Sequence, residues 1–202
     1  MIYLPDHFAQ MLMPNPLISY FQQFRHISDD DTLLILKAFE LKSFKEGEYP
    51  FKGHRVCSEM YFVCKGVVRI ATHNERGVDI THFFYRENNL CTILQSFNEG
   101  SITPTVIQAC CDAEIMVITK NKLMALYAQL PYLREVIDGI NQQHLIHKVN
   151  VRNRYLGEAA EEQYRLFTEQ NPDIALRVPL KDIASYLGIT PQSLSRIRKN
   201  IR

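Results

Sequence analysis

The feature that most constrains the fold of this chain is an abrupt change in the spacing of its apolar residues. From Glu40 to about Thr119 they come in short alternating or continuous runs, at residues 60–64, 67–71, 79–84, 105–108 and 115–118. Turn formers at Gly47, Lys65-Gly66, Asn74-Glu75-Arg76-Gly77 and Asn98-Glu99-Gly100 separate the runs. Regularly spaced short strands with such turns predict an antiparallel sandwich or barrel. On either side the spacing is that of helices. Residues 15–39 read as helical, with caps at Ser28, Asp29, Asp30 and Asp31 before Leu33, Leu34, Leu36 and Phe39. A short helix is expected at 121–129 and a longer one from Pro131 to about Arg154. Another, at about 158–170, is ended by Asn171-Pro172-Asp173. The expected class is α+β: a β domain at 1–130, a long helix at 131–154 and a small helical domain at 155–202.

On the long helix, Leu133, Ile137, Ile140, His144, His147 and Val151 recur at alternating steps of four and three. That pattern is a heptad seam, which buries against another helix or surface. Two partners fit: a second copy across a symmetric dimer interface, or the chain's own β domain. His144 and His147 read as polar residues near the end of a helix pair, since no Cys or acidic partner would complete a metal site.

Charge is nearly balanced, at 23 Lys and Arg against 22 Asp and Glu, but unevenly placed. Residues 152–202 carry 9 basic and 6 acidic side chains, and the last twelve hold Arg196, Arg198, Lys199 and Arg202 with no acid. A basic end on a neutral protein points to local anion contact. No apolar run is long enough to span a bilayer, and the first residues lack a secretory pattern, so a cytoplasmic protein without membrane contact is expected. The five cysteines, Cys57, Cys64, Cys91, Cys110 and Cys111, show no CxxC spacing and read as reduced core thiols. Cys110 and Cys111 are expected on opposite faces of a strand, a poor arrangement for one metal. No metal or cofactor is expected.

The closing segment, Leu180 to Ile201, carries the functional signal. Ala184 is small where two helices would approach, Gly188 suits a turn that needs positive φ, and Ile183, Leu187, Ile189, Leu194 and Ile197 supply a shared core. Thr190 can cap the second helix and Pro191 suits its first turn. These signals agree on a helix-turn-helix. With Leu194, Ile197 and Ile201 inside, the opposite stripe holds Gln192, Ser193, Ser195, Arg196 and Lys199. Gln and Arg side chains can read adenine and guanine in the major groove. Lys199, Arg198 and Arg202 suit phosphates, as do the hydroxyls of Thr190 and Ser193 at the helix start.

Over nearly its whole length the chain resembles the Crp/Fnr superfamily of bacterial transcription regulators. Met60 to Ile70, with Lys65-Gly66 at its centre, is similar to the family's strand–Gly–strand hairpin. Pro179 to Arg198 is similar to its DNA-reading motif, placing Gln192 (where Glu is common) and Arg196 at base-contacting positions. The resemblance implies a cyclic-nucleotide-binding-like β-roll, a homodimer, double-stranded DNA as partner, a small-molecule effector and contact with RNA polymerase. The departures matter too. Aligning Phe97-Asn98-Glu99-Gly100 with the family's phosphate cassette puts Thr92-Ile93 where a Gly-Glu pair meets the ribose. It puts Thr103-Pro104 where Arg-Ser or Arg-Thr meets the phosphate. Without that cation a buried phosphate is costly, so cAMP is not the expected effector. With the sequence stopping at Arg202, the β-hairpin wing of many members is not expected, and with no cysteine before Cys57 neither is an iron–sulfur cluster.

Two other functions set different demands. A ligand sensor acting through protein–protein contact would use the helical end as a docking surface. A metal-dependent jelly-roll enzyme would need clustered His and Glu, and His73, His82, Glu75 and Glu87 are not at a convincing spacing. The chain is therefore expected not to be an enzyme.

Overall fold

The computed structural model describes residues 15–74 and 77–200. The expected turn residues Glu75 and Arg76, and Ile201 and Arg202, expected to face the core and a phosphate, lie outside them.

The N-terminal helical stretch is two helices, α1 (Pro16–Phe21) and α2 (Asp29–Ala38). Ser28 caps α2, its Oγ accepting the Asp31 N–H at 3.1 Å, and three aspartates occupy the first turn, where the helix dipole favours them. Nine strands follow: β1 (Glu40–Phe44), β2 (Arg55–Val56), β3 (Glu59–Lys65), β4 (Val68–His73), β5 (Asp79–Tyr85), β6 (Asn89–Cys91), β7 (Ile102–Thr103), β8 (Val106–Ala109) and β9 (Ala113–Thr119). They form a four-stranded sheet in the order β1-β9-β3-β6, a three-stranded sheet β5-β4-β8 and the small pair β2-β7, all antiparallel. This is the expected β-roll. A short helix, α3 (Leu94–Glu99), crosses between β6 and β7. Cys110 and Cys111 lie in the bend between β8 and β9, not within a strand as expected from the alternation.

Period-two burial on the four-stranded sheet builds two cores. Tyr61, Val63, Ile115 and Val117 face Val68, Ile70 and Ile107 of the other sheet. Met60, Phe62, Met116 and Ile118 face outward and are covered by helices. The β3–β4 hairpin turns at Gly66, with φ +92°; a Cβ there would lie 2.5 Å from the Asp112 carbonyl oxygen, so only glycine fits.

The helical half comprises α4 (Lys120–Gln129), α5 (Pro131–Tyr155), α6 (Ala160–Gln170), α7 (Pro172–Arg177), α8 (Leu180–Leu187) and α9 (Pro191–Asn200). Pro172 ends α6 as the sequence suggests. It also opens α7, because its fixed φ and missing N–H suit a first helical position. The seam on α5 divides. Leu133, Ile137 and Ile140 are fully buried in the chain's own outer core, with Leu123, Leu126 and Phe62. His144 and His147 set their rings edge-on against Tyr85 and Phe83, and Val151 is buried. Leu133, Ile137 and Ile140 on this face are covered by the chain's own core, the second of the two partners considered, while His147 remains exposed. The apolar residues α5 leaves exposed are Leu145, Ile146 and Val149.

Candidate nucleic-acid interface

The last two helices pack as a helix-turn-helix. Ala184 is fully buried, with Ile183, Leu187 and Leu194 around it. Gly188 takes φ +70°, and the N–H groups of both Gly188 and Ile189 donate to the Ala184 carbonyl, closing α8 with a left-handed cap. The next helix starts where the sequence placed it. Thr190 Oγ1 accepts the Ser193 N–H at 3.1 Å, and the two hydroxyls lie 2.9 Å apart.

Leu194 anchors α9 inward while Gln192, Ser193, Arg196 and Lys199 are exposed on its free side, together with Thr190. Ser195 and Arg198, expected on that stripe or beside it, are half-buried at its margin. None of Arg196, Arg198 and Lys199 has an ion-pair partner among the described residues, and Arg196 and Lys199 face solvent.

The helix-turn-helix is not a free appendage. Its core merges with the β-roll through Val67, Phe84 and Cys110, and α8 lies along β5, the edge strand of the three-stranded sheet. Ser185 Oγ accepts the Thr81 N–H at 2.8 Å and donates to the Asp79 carbonyl at 2.9 Å, satisfying backbone groups that an edge strand leaves open. Beneath it Arg69 is 2 % exposed. Its guanidinium donates to Gln108, Thr81 and Asp79 and lies 2.9 Å from the Asp182 carboxylate of α8. Burial raises the Asp182 pKa, and the Arg69 charge offsets this only in part. A second clamp joins Arg177 of α7 to Glu87 at 2.6 and 3.0 Å; Glu87 also accepts the Gly66 N–H at 2.7 Å. Sequence reasoning did not mark Arg69, Asp182, Ser185 or Glu87 as an interdomain set. The one local signal is that Asp182 and Ser185, three apart, share a helix face.

At the cassette position, Thr92 is buried and its hydroxyl donates to the Glu59 carbonyl at 2.8 Å. Ile93 packs on the inter-sheet core. The cavity beside Thr92, Tyr85 and Cys91 measures only about 10 Å³. Arg55 sits opposite Thr103 in the β2–β7 pair, but its guanidinium lies 3.3 Å from Glu59 and over the Phe51 ring. Cys57, Cys91 and Cys110 are buried, and burial pushes the Cys91 thiol up to about 12, the environment of a core residue. No helix among the described residues is long and apolar enough to cross a membrane.

Residues 41–130 match the family model of the cyclic nucleotide-binding domain. Solved structures extend the likeness across the chain. The c-di-GMP-responsive global regulator CLP of Xanthomonas campestris is 12% identical, with a TM-score of 0.71 over 86% of this chain and 91% of its own. FixK2 of Bradyrhizobium japonicum is 17% identical, with a TM-score of 0.66 over 81% and 84%. A Crp/Fnr-family transcriptional regulator of Thermus thermophilus is 15% identical, with a TM-score of 0.59 over 80% and 85%. A comparison with curated protein sequences gives no match. Residues 41–130 thus match a cyclic nucleotide-binding domain, and the chain shares the fold of these solved transcription regulators.

Proposed function

We propose that this protein is a sequence-specific, double-stranded-DNA-binding transcription regulator that acts as a homodimer. The observation that carries the reading is the outward face of α9, where Gln192 and Arg196 stand one turn apart and exposed while Leu194 holds the helix in place. Such a helix can enter a major groove, with Gln192 and Arg196 at base edges and Thr190, Ser193, Ser195, Arg198 and Lys199 along the phosphates. Leu145, Ile146 and Val149 supply the dimer face, an exposed apolar stripe on the same long helix. cAMP is not the effector in this reading. The space beside Thr92 is small, about 10 Å³, and Arg55, opposite Thr103, already lies 3.3 Å from Glu59.

Binding of the purified protein to duplex DNA at two salt concentrations tests the proposal. Binding that discriminates among sequences and weakens with salt supports it. The absence of any complex at low salt would overturn it, and strong capture of a protein partner without DNA would favour the protein–protein alternative.

A further inference from the structure

A cavity of about 320 Å³ lies away from the β-roll interior, at the junction of three segments. It is walled by the β5–β6 region, the second half of α5 and the helices α6 to α8. That volume lies within the range of small-molecule sites. One wall is aromatic: Phe84, Phe167 and Tyr186 pack mutually, with ring centroids 5.3 to 6.2 Å apart. The charge of the lining is one-sided. Among the described residues Arg86 and Arg154 contribute to it and no carboxylate does. Arg86 is held at 2.7 Å by Asp173, which lies outside the lining. Arg154 is exposed and has no ion-pair partner among the described residues. Gln170 adds an amide beside these cations.

A cavity lined by an aromatic cluster and an unpaired guanidinium selects a flat ring that carries a negative group. We propose that this junction cavity is a binding site for a small aromatic anion, a carboxylate or its equivalent, whose ring stacks on the Phe84, Phe167 and Tyr186 wall and whose charge meets Arg154. Because the walls come from both the β-roll and the helical domain, an occupant bridges the two and sets their relative placement. The binding itself does not rest on the DNA-binding reading; only its consequence for DNA does.

Calorimetry and ligand-observed NMR with 1-naphthoate and its neutral isostere 1-naphthamide on the full chain test the site without DNA. The acid is expected to bind about tenfold tighter than the amide, the discrimination of one charge-assisted contact. Arg154→Gln, on an exposed side chain, should abolish that preference. Arg165→Gln, which removes an arginine paired with Glu162 outside the cavity, should leave it intact. Equal binding of acid and amide, a preference that survives Arg154→Gln, or no binding at millimolar ligand would each overturn the proposal.

Discussion

Arg69 of the β-roll and Asp182 of the helix-turn-helix meet at 2.9 Å in the interior, both almost wholly excluded from solvent. The pair spans the boundary between the β-roll and the helical part of the chain, so the placement of α8 depends on a buried charge. Removing one partner of such a pair leaves the other uncompensated, at a cost of about 3–5 kcal/mol. Arg69→Met, which strands the buried Asp182, is expected to lose stability in that range in denaturant unfolding. Asp182→Asn should lose far less, because burial already works against its charge and Arg69 keeps Asp79. Equal losses would contradict this ranking.

Acid should loosen the docking of α5. Burial, then the neighbouring Lys148 and His147 charges, hold His144 below the usual imidazole range. A depressed folded-state value means that the His144 contribution is fully present above the unfolded value of about 6.5 and is lost as pH falls through the folded one. Melting temperature is therefore expected to drop as pH falls below about 6.5, and His144→Phe should flatten that slope. An unchanged slope would show that His144 does not carry it.

The dimer face is expected on the side of α5 opposite the one its periodicity marks. Ile146→Asp places a charge in the exposed stripe with Leu145 and Val149 and should shift the protein to monomers in sedimentation analysis, with folding intact. Ile137→Asp should instead unfold the chain, since Ile137 is 1 % exposed within its own core. A dimer that survives Ile146→Asp would move the interface elsewhere.

On α9, the proposed function predicts that Arg196→Ala costs about 1–3 kcal/mol on the preferred duplex and relaxes discrimination at one base position. Lys199→Ala should weaken all duplexes alike and reduce the salt slope by about one. Titrations of specific and scrambled duplexes at several salt concentrations separate the two effects.

Legibility from the sequence follows the range of the interactions. The strands, the Gly66 turn, the Ser28 cap and the Gly188-Ile189-Thr190-Pro191 junction are local, and each leaves its mark within a few residues. The heptad spacing on α5 shows which face is apolar but not what covers it, because own-chain and partner packing demand the same residues. Arg69, Asp182 and Glu87 are opaque for a different reason. An arginine in an alternating strand and an aspartate in a first helical turn both look solvated, and only the docking of two distant segments buries them. Pro172 is legible by half: its ring stops one helix and starts the next.

The most direct test of the central claim is selection of bound duplexes from a random pool by the purified protein. The account predicts an enriched inverted repeat with half-site centres about one helical turn apart, roughly 10 base pairs, and loss of that motif with Arg196→Ala. Recovery of no motif, or of one unchanged by Arg196→Ala, would contradict it.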